Sequence, residues 1–264
     1  MGAERMDLLK TTNLTVSFGG LVAVNGLNLT VQKGQICALI GPNGSGKTTA
    51  INLITGIYVP TAGKVEFKGE TISGLPRHLI VRKGIARTFQ NIRLIGNQTV
   101  FDNIRLGMHI HTKANLLGVI VNSRAVREEM AAVKSEVQEI IDFVGLSKIA
   151  QEKTRNLPYG KQRIVEIGRA LATKPELLLL DEPAAGLNTQ ETLELVELIK
   201  KIRDRGITIL LIEHHMELVE GLADWVFVLN YGQKIAEGTF KDIKANELVK
   251  EAYLGKRGAR VVNA

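Results

Sequence analysis

Apolar residues in the first ninety positions fall in short runs parted by glycine-bearing turns, at 14–18, 27–31, 36–40 and 65–67, a strand pattern rather than a helical one. From about Asn91 to Asn156 the period lengthens. Val126, Met130, Val133, Val137, Ile140, Ile141 and Val144 recur at spacings of three and four before Gly145, which predicts a helical subdomain. After it the chain predicts a helix from about Gly160, a strand at 177–180, a helix at 188–205 opened by an Asn-x-x-Glu cap, and a strand at 207–212. Strands and helices alternate, so the sheet should be mostly parallel. With no internal repeat or low-complexity linker, residues 1–264 read as one domain. Its core spans about 5–90 and 157–240, the helical insertion about 91–156, and a C-terminal helix with a basic tail about 241–264.

The run at 36–40 leads directly into Gly41-Pro42-Asn43-Gly44-Ser45-Gly46-Lys47-Thr48, a full match to G-x-x-x-x-G-K-[ST], followed by Thr49. The glycines leave room for successive backbone N–H groups to wrap α/β-phosphates, Lys47 reaches the β/γ oxygens, and the Thr48 hydroxyl suits Mg²⁺. A helix opening at Gly46 adds its dipole. The second chemical feature is the apolar strand that ends in Asp181-Glu182. Asp181 is placed to hold Mg²⁺, usually through water, and Glu182 to polarise an attacking water.

Composition narrows the class further. Of 264 residues 45% are apolar, enough for a sizeable core, yet no run approaches the roughly 18 residues of a membrane span; the longest suspicious piece lies at 116–121. The N-terminus lacks a signal-peptide apolar region, so the expectation is a cytosolic chain with peripheral membrane contact. Cys37, the sole cysteine, excludes an internal disulfide and reads as a small core residue. The net charge of +7 gathers in two short clusters, from Arg77 to Arg93 and from Lys256 to Arg260, which read as solvated surface rather than a nucleic-acid face. His109 and His111 lack nearby Cys or paired acidic ligands, so no metal site is read there.

Taken together, these motifs resemble the nucleotide-binding subunit of ATP-binding cassette (ABC) transporters, from about Leu8 to Leu254. The resemblance implies the ABC ATPase fold: an α/β P-loop NTPase with a RecA-like, mostly parallel sheet, an antiparallel β subdomain and an inserted α-helical subdomain. It also implies roles for residues that are weak signals alone. Phe18 lies where an aromatic side chain stacks on adenine, Gln90 in Thr-Phe-Gln-Asn matches the loop that senses Mg²⁺ and the membrane subunit, and His214 matches the switch histidine at the γ-phosphate. The implied catalytic set is Lys47, Gln90, Glu182 and His214, and the implied Mg²⁺ set Thr48, Gln90 and Asp181.

The signature segment departs from the family's usual Leu-Ser-Gly-Gly-Gln. It reads Leu157-Pro158-Tyr159-Gly160-Lys161, and the Asp of the loop after Glu182 is replaced by Asn188. In this family two cassettes close head to tail, so this segment faces the nucleotide held by the partner. Pro158 offers neither hydroxyl nor N–H. A homodimer would pair two impaired signatures, so the expectation is a heterodimer with a second ABC ATPase, joined to two permease subunits and served indirectly by a substrate-binding protein. Leu-Pro-Tyr-Gly, Ala184-Ala-Gly-Leu-Asn188 and the Tyr253-Leu-Gly ending look like the first ATPase of high-affinity branched-chain amino acid importers. Such a subunit would sit on the cytoplasmic face of the inner membrane and use ATP and Mg²⁺. A urea or amide importer, a lipopolysaccharide exporter, and a soluble ABC ATPase acting on ribosomes or DNA are the alternatives.

Overall fold

The computed structural model describes residues 6–111 and 124–254; the apolar run at 116–121 and the basic cluster from Lys256 lie outside them. β1 (Asp7–Phe18) and β2 (Leu21–Gln32) form an antiparallel hairpin longer than the runs at 14–18 and 27–31 suggest. Thr11 explains the extension. Its buried hydroxyl donates to the Leu27 carbonyl (2.9 Å) and accepts from the Leu29 N–H (2.8 Å), which lets a polar stretch continue as strand.

β3 (Ile36–Ile40) opens a second sheet and runs through the glycine loop into α1 (Lys47–Ile54). β4 (Ala62–Phe67) and β5 (Glu70–Thr71) return to the first sheet, whose order is β2-β1-β4-β5, antiparallel throughout. Next come α2 (Arg77–Arg82), β6 (Ile85–Arg87), α3 (Val100–Met108), α4 (Arg124–Phe143) and α5 (Tyr159–Leu171). The remaining elements are β7 (Leu177–Asp181), α6 (Thr189–Asp204), β8 (Thr208–Ile212), α7 (Met216–Leu222), β9 (Trp225–Asn230), β10 (Gln233–Gly238), α8 (Phe240–Ala245) and α9 (Glu247–Leu254). The second sheet has the order β10-β9-β3-β8-β7-β6, parallel except for the β10–β9 edge.

Every residue of β3, β7 and β8 is buried, as central strands that are apolar but for Asp181 and Thr208 and covered on both faces must be. Alternate side chains serve opposite layers. Leu178 and Leu180 join Ile104, Ile141 and Ile199 under the helices, while Leu177 and Leu179 join Leu39, Ile51 and Phe67 toward the antiparallel sheet. Cys37 sits in that second layer, its thiol pushed up to about 12 chiefly by burial and further by Asp224, which fits an inert core residue. On α4 the stripe read from the sequence is covered or partly covered except at Met130, and Gly145 ends the segment with φ 75°.

The cap read at Asn188 forms in full. Asn188 Oδ1 accepts from the Glu191 N–H (2.9 Å), and Glu191 Oε2 accepts from the Asn188 N–H (3.0 Å). Asn188→Ala should therefore lower stability in urea unfolding by about 1 kcal/mol, while Asn188→Asp, which keeps the acceptor, should stay close to the parent.

Candidate nucleotide-binding site

Parallel register brings the chemistry together. Ile212 of β8 pairs with Leu39 of β3 on one side and with Asp181 of β7 on the other, so the glycine loop, Asp181-Glu182 and Glu213-His214 leave the sheet at the same edge. The loop itself needs its glycines. Gly41 has φ 151° and a Cβ there would run into the Leu229 carbonyl oxygen; at Gly46, with φ 100°, a Cβ would lie 2.8 Å from the Ala23 carbonyl oxygen. Gly46 caps α1, whose first N–H groups face the loop.

The loop borders a cleft of about 490 Å³ lined by Asn43, Gly44, Ser45, Gly46, Lys47, Thr48 and Thr49, with Glu182 opposite. Lys47 is folded back within it, donating to the carbonyls of Gly41 (2.7 Å) and Pro42 (2.9 Å). Burial lowers the Lys47 ammonium below its usual range, and the charges of Glu182 and Asp181 oppose that shift. Ser45 Oγ is buried and has no hydrogen-bond partner among the described residues. An orphan hydroxyl, a buried cation and a helix N-terminus in one cradle fit a polyphosphate. The exposed Thr48 hydroxyl on the same wall fits a hard cation beside it.

Glu182 adopts a left-handed backbone, φ 45°, rare for a residue with a side chain and held by its N–H donating to the Ile212 carbonyl (2.9 Å). This turn aims its carboxylate at two loops. Gln90 Nε2 donates to Glu182 Oε2 (2.8 Å), leaving the Gln90 carbonyl oxygen for a cation, and His214 Nδ1 lies 3.9 Å from Glu182 Oε1. Asp181 is paired with the guanidinium of Arg87 (2.7 Å), which also donates to Asn52 Oδ1 (2.7 Å).

Other candidates stand apart from the cleft. Phe18, at the end of β1, meets Tyr58 edge-on with centroids 5.0 Å apart, and the cleft wall beside it is made by Leu21, Val22, Ala23 and Tyr231. Leu157, Tyr159, Gly160 and Lys161 gather at the start of α5, outside that cleft. There Lys161 pairs with Glu194 (3.3 Å) on the exposed surface, and the Glu191 carboxylate lies over Gly160 where a Cβ would displace it. Pro158, at the cap position, gives α5 no side-chain cap.

Several residues escaped the sequence reading. Arg87 holds Asp181 as described. Glu213, fully buried, accepts from the N–H groups of Ala184 (3.1 Å) and His214 (3.1 Å) and contacts His215 Nδ1 (3.0 Å). Arg163 and Glu166 hold the backbone around Gln90. A signal for Glu213 was present: a lone acid closing the apolar run at 209–212 has to find donors.

The family model described as "ABC transporter" matches residues 24–185, and one described as "Branched-chain amino acid ATP-binding cassette transporter" matches residues 233–259. The high-affinity branched-chain amino acid transport ATP-binding protein BraF of Pseudomonas aeruginosa is 44% identical over 250 residues, 94% of this chain and 98% of its own. LivG of Escherichia coli, with the same description, is 43% identical over equal shares. Among solved structures, a nucleotide-free ATP-binding cassette from an ABC transporter and the ADP conformation of such a cassette each give a TM-score of 0.83 at 33% identity, covering 95% of this chain and all of theirs. The chain therefore belongs to the ABC transporter family, as an ATP-binding cassette that hydrolyses ATP.

Proposed function

We propose that the chain is one of two different ATPase subunits of an importer for branched-chain amino acids, seated peripherally on the cytoplasmic face of the inner membrane against two permeases. A substrate-binding protein would deliver the amino acid outside. The amino acid assignment is supported by BraF and LivG, whose descriptions name that cargo. Among the described residues no helix is long and apolar enough to cross a membrane, in keeping with a subunit that works on a membrane through partners.

In the proposed cycle the N–H groups at 43–48 and Lys47 hold the phosphates of ATP. Lys47 then leaves the carbonyls of Gly41 and Pro42 for the β/γ oxygens. Thr48, the Gln90 carbonyl and, through water, Asp181 would hold Mg²⁺, which would neutralise negative charge on the phosphates. Glu182 accepts a proton from the attacking water, and His214 donates a hydrogen bond to the transferring phosphoryl group. Phe18 supports the adenine at the open end. Closure on a second cassette moves the permease helices, and hydrolysis resets them.

One contrast carries the heterodimer. The cleft is lined by Lys47, Thr48 and Glu182, with Gln90 and His214 against Glu182, while α5 opens with Pro158 and an ion-paired Lys161 where a partner nucleotide would need a hydroxyl and free N–H groups. Leu157, Tyr159, Gly160 and Lys161 would thus complete the weaker of two sites.

Glu182→Gln should retain ATP binding while kcat falls by at least roughly 100-fold in a steady-state phosphate-release assay. Mixing the parent chain with the cassette encoded beside it should raise the rate well above that of either chain alone. A fully active homodimer with no gain on mixing would refute the heterodimer. Affinity capture from native membranes with Glu182→Gln should recover a second, different cassette and two permeases by mass spectrometry; recovery of only this chain would point to a homodimeric system.

A further inference from the structure

Arg163 and Glu166 lie one turn apart in α5, with side chains 0% and 2% exposed, and their charges meet at 2.9 Å. Taking two such ions out of water costs several kcal/mol each before compensation, so their remaining partners matter. Arg163 donates to the carbonyls of Phe89 (2.7 Å) and Gln90 (2.8 Å) and to the Tyr159 hydroxyl (3.0 Å). Glu166 Oε1 accepts from the N–H groups of Phe89 (3.5 Å) and Arg93 (3.4 Å). Both polarities of backbone around Gln90 therefore terminate on one helix.

The sheet hands the loop over at this point. Thr88 still donates to the Leu179 carbonyl (3.0 Å), as a strand neighbour would, but from Phe89 onward the bonds run to α5. Tyr159 carries the connection further. Its ring covers Gly186, where a Cβ would come within 3.2 Å of a ring carbon, so it lies against the loop that follows Glu182.

We propose that Arg163, Glu166 and Tyr159 are positioning residues for Gln90, fixing its loop to the first two turns of α5 so that the group touching Glu182 and the surface offered to a second cassette move as one body. A displacement of either is then felt at the other. The inference rests on the reading of Gln90 as part of the Mg²⁺ site, and its test separates the two.

The experiment uses the full chain, with the second cassette wherever turnover requires it, and measures KM for ATP, kcat, the Mg²⁺ concentration for half-maximal rate and the unfolding temperature. Gln90→Ala is the reference variant. Arg163→Lys keeps the charge but loses the planar fork whose two nitrogens serve Phe89, Gln90, Tyr159 and Glu166 together, and Tyr159→Phe removes one hydroxyl from a half-exposed ring. Both should leave KM for ATP near the parent value, lower kcat, by roughly 10- to 100-fold for Arg163→Lys, and raise the Mg²⁺ requirement in the direction of Gln90→Ala. Folded variants with parental kcat and Mg²⁺ dependence beside a shifted Gln90→Ala would overturn the inference alone, as would a lowered unfolding temperature without a change in Mg²⁺ dependence. A Gln90→Ala variant with parental Mg²⁺ dependence would overturn the reading of Gln90 and the inference with it. If Arg163→Lys fails to fold, Tyr159→Phe decides by the same criteria.

Discussion

The placement of β8 between β3 and β7 is the constraint on which the site depends. Three five-residue strands that are apolar but for Thr208 and Asp181, and buried throughout, must be covered from both faces, and parallel alignment then places their carboxyl ends on one edge. Because the register sets Ile212 beside both Leu39 and Asp181, residues more than a hundred positions apart arrive within hydrogen-bonding reach. A shift of this register would separate the phosphate loop from Glu182 without altering a single motif. Hydrophobic burial thus decides the catalytic geometry, and the polar residues at the strand ends inherit it.

Those polar residues make the edge costly to build. Asp181 and Arg87 are nearly inaccessible, Glu213 and Arg163 fully so, and Glu182 holds a left-handed backbone. Each buried charge is matched by an opposite charge, by backbone groups, or by both, which is the condition under which such burial is tolerated. For Glu166 the balance is visible in its titration: burial raises the carboxyl above its usual range although Arg163 and the N–H groups of Phe89 and Arg93 oppose it. The left-handed turn at Glu182 and the ion pairs around it belong to one arrangement, in which a buried layer beneath holds the Glu182 carboxylate at a sharp turn.

What could be read in the sequence was whatever has a single physical solution. A loop with Gly41 against the Leu229 carbonyl and Gly46 at a left-handed cap admits no side chain at either place, so its spelling is narrow and recognisable. The strand at 177–181 and the cap at Asn188 are similarly constrained. Arg163 and Glu166 were not legible, because opposite charges three apart on a helix look the same whether they face solvent or the core. Phe18 shows a different limit. An aromatic residue after a strand was visible, but its edge-on contact with Tyr58, and the use of Leu21, Val22 and Tyr231 as cleft wall, depend on how the hairpin meets the β9–β10 turn. That meeting is made by the Asn25 N–H of β2 donating to the Gly232 carbonyl (2.8 Å), a contact between segments far apart in the chain.

The altered signature is best understood through the side chains around it. Glu191 closes the cap of α6 and at the same time occupies the space over Gly160, so the one glycine kept from the family pattern is kept for packing as well as for any nucleotide. Asn188, where the family has Asp, is committed to the same cap through its side chain. Tyr159 is committed to Arg163 and to Gly186. Side chains that would reach toward a partner nucleotide in the usual pattern are here bound within their own subunit. A segment with so many internal bonds gains rigidity and leaves fewer side-chain donors free to stabilise charge on a phosphoryl group.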